Sequence, residues 1–443
     1  MAPKSDFVPK STLGILPPKS RHLGHKLTTN LWLEEKKETD GAEGLWRVHN
    51  DLYDLSEFIQ KHPGGSEWLQ LTKGHDITEA FEVHHLTDQP EEILRKYFVR
   101  KAKGPRNAPF SFDENGFYRT LKKEVKPLLK TLPKQSMNTT NFFSDSLVVL
   151  TFLFSTLAVR YWSFGLGILG GILLSMLTIA AHNYFHRRDN FRMHYFQFSF
   201  FTVRDWRISH VLSHHLHTNT IDDLEISAYE PFLQYLPTDK NKIQTYGSML
   251  LAPFMWMSLF HFTLNKRIQD AIKYNFKNMK ITDLITLTLP TFMWIFGGQS
   301  LLATFGMYNF VMVMASLHFG FVGLHAAHHH PDIFHDGDTP RATTNYDWGL
   351  SQLDAVMDRK EISGNHFLVL TNFGDHALHH LFPTLDHGAL EHLYPTFEEV
   401  LGRFNENLRI VSQWDTIKGG YQQLKRVEPN PSPPELKKYA KRG

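Results

Sequence analysis

Apolar and polar positions divide this chain into stretches of very different texture. Residues 1–28 read as a polar tail rich in Pro and Lys. Residues 29–103 mix short apolar runs with turns, the pattern of a small α+β domain. Residues 104–141 are charged and carry Pro105, Pro109, Pro127 and Pro133, which predicts a linker holding a short amphipathic helix near Tyr118–Leu129. From 142 to 181 only Asp145 and Arg160 are charged. A membrane span needs ~20 mostly apolar residues, so this stretch predicts two spans, about 142–161 and 162–181. Between them Arg160 can snorkel, and Tyr161 and Trp162 suit a membrane interface.

Three more apolar stretches follow, about 246–264, 281–297 and 300–325. The link 265–280 carries Lys266, Arg267, Lys273, Lys277 and Lys280, and the positive-inside bias places it in the cytosol. If the histidine boxes described below share one membrane face, an even number of crossings separates them. Segment 246–264, which contains Pro253 and His261, is therefore expected to lie in the interface. The hairpin 281–297 and 300–325 then crosses, turning at Gly297-Gly298-Gln299-Ser300. The expected architecture is a small α+β domain followed by an all-α membrane domain, residues 142–395, with about four transmembrane helices. Residues 396–443 are expected to form a cytosolic tail.

Composition narrows the chemistry. Of 443 residues, 47 are Lys or Arg and 45 Asp or Glu, a net charge of +2. That gives no basic footprint for nucleic acid. There are 27 His and no Cys, which excludes disulfides, Cys-ligated zinc and iron–sulfur clusters. Any metal must sit on nitrogen and oxygen ligands. The first thirty residues, interrupted by Pro9, Pro17, Pro18, Lys19, Arg21 and Lys26, lack the apolar core of a signal peptide. The N-terminus is expected in the cytosol.

His62-Pro63-Gly64-Gly65 makes a sharp turn that lets backbone approach a large flat ligand. Thr78-Glu79-Ala80-Phe81-Glu82-Val83-His84-His85 follows. These residues resemble the cytochrome b5 family, which implies a haem b held by His62 and His85, with His84 the alternative second ligand. Many members of that family carry Gly where this chain has His84. Two imidazoles leave no open iron position, so such a haem transfers electrons.

Further on lie His182-x3-His186, His210-x3-His214-His215 and His376-x2-His379-His380. Residues three or four apart share one helix face, so His182 with His186, His210 with His214, and His376 with His379 can each reach one metal. His215 points towards a second metal or another side. Eight ligands suffice for two irons, and the segment His325-Ala326-Ala327-His328-His329-His330 can supply a ninth. A lone pair of this kind is more often an ordinary histidine couple; three boxes where apolar spans give out are far more specific. His217, His329, His330, His335, His387 and His392 are expected to support ligands or face solvent.

The set is similar to the membrane fatty-acid desaturase family over about residues 142–395. Asp347 to Leu353, and Asn365 through His380-Leu381-Phe382-Pro383-Thr384, resemble its cytochrome b5-fused branch. In that branch the third box commonly opens with Gln; here it opens with His376. The resemblance implies nine ligands to two non-haem irons: His182, His186, His210, His214, His215, His328, His376, His379 and His380. His325 and His329 are alternatives to His328. Asp347, Asp375 and Asn365 are expected to orient ligands. The implied activity is oxygen-dependent desaturation of a lipid acyl chain. Electrons would come from NADH or NADPH through a cytochrome b5 reductase-type donor and the fused haem. A lipid hydroxylase and a non-catalytic haem-binding membrane protein are the alternatives. The expected location is the endoplasmic reticulum membrane, with both termini and all boxes cytosolic.

Overall fold

The computed structural model describes residues 10–22, 28–277 and 279–434. Parts of both expected tails, residues 1–9, 23–27 and 435–443, lie outside the described residues. The expected haem module is built on a three-stranded antiparallel sheet, β1 (Trp46–Val48), β2 (Asp51–Tyr53) and β3 (Phe98–Lys101), in the order β1-β2-β3. Trp46 pairs with Tyr53 and Val48 with Asp51. Trp46, Val48, Tyr53, Leu55, Leu69, Ile77 and Leu94 form its own small core. A second face of the module is committed elsewhere. Trp32, Leu33 and Leu71 pack with Ile208, Leu212, Leu216 and Leu224 of the following domain. The buried Lys36 ammonium bridges Asp40 at 3.1 Å and Asp222 at 3.0 Å.

The expected linker is folded. Helix Phe117–Leu128 buries Phe117, Tyr118, Leu121 and Val125, spaced three or four apart as an amphipathic stripe requires. The next helix, Lys134–Arg160, starts well before residue 142. Helix Phe164–Phe185 continues past residue 181, so His182 sits in its last turn and His186 at its C-cap. Close packing there depends on Gly171, where a Cβ would stand 2.6 Å from Met314 and 2.8 Å from the Val311 carbonyl. Small residues let apolar helices approach in this way.

Four helices are long and apolar enough to cross a membrane: Lys134–Arg160, Phe164–Phe185, Ile243–Lys273 and Leu301–Leu324. Ile281–Gly297 is apolar but shorter. By length and composition this differs from the expected set, which counted 281–297 and left 246–264 in the interface. The contacts bear on the difference. The first end of Ile243–Lys273 meets the C-terminal helix Gln413–Lys425, with the Lys425 ammonium 5.9 Å from the Tyr246 ring. Its other end meets the haem module, where Asn30 donates to Asp270 at 3.1 Å and Tyr274 to Glu34 at 3.2 Å. Segment 281–297 starts beside Glu67, which pairs with Lys280. It ends with Gly297 packed on Val159, beside the Arg160 turn.

The described parts of both expected tails are folded onto the membrane domain. Leu13 and Ile15 are buried, and Ser11 and Thr12 donate to Asp336 at 2.8 and 2.9 Å. At the other end Ile410–Val411 pairs in parallel with Asp358–Arg359. Helix Gln413–Lys425 is tied down through Lys240, which donates to the Leu424 carbonyl at 3.0 Å.

Candidate haem site and metal centre

In the haem module, Gly65 has φ +116°, a conformation in which a side chain is strained. Its carbonyl receives the His62 Nδ1 proton at 2.9 Å. The His85 Nδ1 proton goes to the Phe81 carbonyl, also at 2.9 Å. Both rings therefore keep a bare Nε2 lone pair. The two rings face each other with centroids 6.2 Å apart and planes at 88°. Phe58 and Phe81 flank them at 6.0 and 4.9 Å. The donor set fits one iron carried on a flat apolar group. His84 turns the other way, towards Trp68, 5.9 Å between centroids.

The eight box histidines and His328 come together in two buried groups. His182, His186, His210, His215 and His379 form one; His214, His328, His376 and His380 form the other. In the first, His182 Nε2 lies 2.8 Å from His210 Nε2, 2.9 Å from His186 Nε2 and 3.0 Å from His379 Nε2. The second box corrects the simple helical expectation. Arg207–His214 is a π-helix, whose wider turn repeats near five residues. His210 and His215 thus reach one group, Nε2 to Nε2 3.1 Å, while His214 joins the other; His210 and His214 also meet as expected, in a smaller group with Glu225. The third box also divides: His379 goes to the first group, and His376 and His380 to the second.

The tautomers indicate what the second group can hold. His328 Nδ1 donates to the Ala355 carbonyl at 3.0 Å, and His376 Nδ1 to the Phe373 carbonyl at 3.1 Å. Carbonyls only accept, so both Nε2 atoms are lone pairs. They face each other at 2.7 Å, an arrangement that a shared cation stabilises. Burial first, then neighbouring imidazoles such as His376, keep His380 well below the usual histidine range. Burial and the ring of His380 act likewise on His215. Neutral imidazole is the form that ligates metal. The donor chemistry fits two metal ions, and with no sulfur ligands iron is among the metals it suits.

The groups that orient these rings differ from the expected ones. Asp223 accepts from His214 Nδ1 at 2.9 Å, Glu225 from His210 Nδ1 at 2.8 Å and Gln352 from His380 Nδ1 at 2.9 Å. Asp347 and Asn365 instead cap helices, accepting from Gly349 N at 2.9 Å and Leu368 N at 3.1 Å. Asp375 accepts from the Tyr394 hydroxyl at 2.9 Å. Of the alternatives to His328, His325 packs on Trp256 and His329 stacks on Tyr235; neither joins a group. His217, His335 and His387 are buried, and His392 alone of the supporting set is exposed. His387 lies 4.5 Å from the His379 ring and bonds Asn183 at 2.8 Å.

A cavity of about 470 Å³ reaches both groups through His210, His214, His328 and His376. Phe201, Phe319, Phe373 and Met255 make part of its wall apolar, and its lining also includes charged residues, among them Asp205, Glu230, Lys266, Arg267 and Asp270.

A bis-imidazole module and nine converging histidines beside apolar helices define a class: a haem domain fused to a histidine-box membrane protein. Family comparisons agree. The Cytochrome b5-like Heme/Steroid binding domain model matches residues 32–103, and the Fatty acid desaturase model matches residues 82–411. The chain belongs to the fatty acid desaturase family and carries an N-terminal cytochrome b5-like domain. It is similar to the cytochrome b5-related protein of Drosophila melanogaster, 41% identical over 412 residues, 92% of this chain and 94% of that one. It also resembles the probable Delta(5) fatty acid desaturase C of Dictyostelium discoideum, 24% identical over 80% of this chain and 85% of the relative. The acyl-lipid (8-3)-desaturase of Mortierella alpina is 22% identical, over 81% of this chain and 87% of its own length. No solved structure matches.

Proposed function

We propose that this protein is a membrane-bound, oxygen-dependent fatty-acyl desaturase that draws electrons through its own haem domain. The observation that carries the reading is the apolar cavity opening onto both histidine groups. When bound, two irons supply the redox chemistry by which dioxygen oxidises a saturated C–H bond. The chain's own work is ligation, alignment and exclusion of water. The nine histidines hold the ions; Asp223, Glu225, Gln352 and the carbonyls of Ala355 and Phe373 fix their tautomers. Phe201, Phe319 and Phe373 would lay an acyl chain alongside and keep water out. NADH or NADPH would supply electrons through a cytochrome b5 reductase-type partner at the endoplasmic reticulum.

In this reading Lys134–Arg160, Phe164–Phe185, 281–297 and Leu301–Leu324 cross the membrane, with boxes and termini cytosolic. Ile243–Lys273 lies along the cytosolic surface, because each of its ends touches an element of that face. Glycosylation tags test this: a tag near 270 stays unmodified, whereas one near 298 is modified. Activity is tested by expressing the chain with a reductase in a desaturase-poor host and analysing all acyl chains by mass spectrometry. Loss of two hydrogens from a lipid supports desaturation, and gain of one oxygen supports the hydroxylase. An unchanged lipid profile with full iron and haem content supports a non-catalytic role.

A further inference from the structure

The haem module is seated on the first two histidine boxes through a small set of residues. Arg207, buried in the π-helix, pairs with Glu67 at 3.0 Å and with Asp189 at 2.6 Å. Its Nε donates to the Phe185 carbonyl at 3.3 Å, and its guanidinium lies 4.5 Å from the Trp68 ring. Phe185 directly precedes His186, and Arg207 stands three residues before His210. Asp189 in turn donates its N–H to Gly64 at 3.3 Å, within the turn that begins at His62. A Cβ on Gly65 would fall 2.4 Å from the Asp189 carboxylate, so the turn itself rests on the membrane domain.

His84 closes this stack from above. It is chain neighbour to His85, its ring faces Trp68 at 5.9 Å, and its Nδ1 donates to the Ala80 carbonyl at 2.8 Å. Its Nε2 is shut off from solvent and has no hydrogen-bond partner among the described residues. Val83 and Leu86, on either side of the His pair, belong to the same core as Phe185 and Val211. The ring thus links His85, its chain neighbour, to Trp68 and, through Arg207, to the Phe185 carbonyl next to His186.

We propose that His84 is a positioning residue for electron transfer, bridging the haem ligand His85 to the Trp68–Arg207 stack that holds the Phe185 carbonyl, next to His186. The inference rests on the reading given under Proposed function. Each transfer takes one electron from ferrous haem, leaving it ferric, and reduces one ferric ion held by the histidines to ferrous. Two transfers serve one product, and the reductase refills the haem one electron at a time. A flat ring at position 84 fills the gap with packed atoms; a glycine there leaves it open.

The test uses the full chain carrying haem and iron. The reduced protein is mixed with oxygen for a single turnover, and oxidation of ferrous haem is followed by its visible absorption. Iron-free protein measures direct haem oxidation for subtraction. In His84→Gly the iron-dependent phase is expected to slow at least tenfold, with the bis-imidazole spectrum and iron content unchanged. His84→Phe, which keeps a ring but no titratable nitrogen, restores the rate to within threefold. A His84→Gly rate within twofold of the unmodified chain overturns the inference, as does failure of His84→Phe to restore a slowed rate. If the unmodified chain shows no iron-dependent phase, the proposed function fails, and the inference with it.

Discussion

The two candidate sites are built by opposite strategies. The haem site is local: His62 and His85 lie within one small module, each ring oriented by a carbonyl three or four residues away. The metal centre is dispersed. Its histidines run from His182 to His380, and every one of them is buried. A local site survives most damage to the rest of the chain, while a dispersed one needs the whole fold to hold. Within the metal centre there is a second contrast. Every ring of the four-histidine group has its Nδ1 satisfied by a protein acceptor. In the five-histidine group His182, His186, His215 and His379 have none among the described residues.

The largest effect should separate the two sites outright. His182→Ala or His379→Ala is expected to remove lipid product completely and to lower the iron content. The low-spin haem spectrum should persist, because neither residue touches the haem module. Loss of the haem spectrum in His182→Ala would break the comparison. The reciprocal change, His62→Ala, should erase the bis-imidazole spectrum and leave iron bound. His84→Ala should retain that spectrum and His85→Ala should not; the reverse outcome would exchange the two ligands.

Next in size is a change beneath the metal. The Asp223 carboxyl is a raised-by-burial group that the adjoining His214 and the N–H groups of Asn219 and Glu225 bring down to about 2. It is thus charged at neutral pH and braces His214 from outside the ligand set. Asp223→Asn should weaken metal binding about 10–100-fold, measured by competition with a chelator, with the haem spectrum unchanged. An equal weakening for a substitution of Asp347, which holds N–H groups at two helix starts and no histidine ring, would deny the distinction.

This distinction also shows what the sequence could tell. Short-range features were legible: the haem turn, the ends of apolar helices and the three boxes are all contiguous patterns. What escaped depends on geometry that spacing does not encode. His210 and His214 look like one helical pair, yet the π-turn sends them to different groups, and no residue type marks that turn. Asp223, Glu225 and Gln352 were hidden because they meet their rings across loops. Asp223 and Glu225 do follow the second box closely, the one signal that points to them. The helix from 243 to 273 shows where length and composition alone fall short. Its apolar stretch and its charged end are one continuous helix, and only its contacts at both ends say which face it serves.

The smallest expected effect measures how far the haem module is really independent. Glu82, on the helix that leads to His84, receives a hydrogen bond from His49 at 2.8 Å and pairs with Arg119 and Lys122 of the neighbouring helix. Burial alone would raise its carboxyl. The His49 bond and the cations of Lys122 and Arg119 outweigh it and hold the group at about 2, against an ordinary 4.5. A carboxylate depressed on folding contributes stability that is complete above the ordinary value and is lost as pH falls through the depressed one. Glu82→Gln should therefore destabilise the haem module by up to about 3 kcal/mol at pH 7, read as a lower midpoint of haem release on heating. The gap between variant and unmodified chain should stay constant from pH 7 down to about 5 and then close as pH falls from 4.5 towards 2. A gap that widened on acidification would mean Glu82 is not the ionised anchor. A gap of zero at pH 7 would mean that the haem module draws no stability from its ion pairs with the neighbouring helix, leaving the contacts of Trp32, Lys36 and Glu67 as its ties to the rest of the chain.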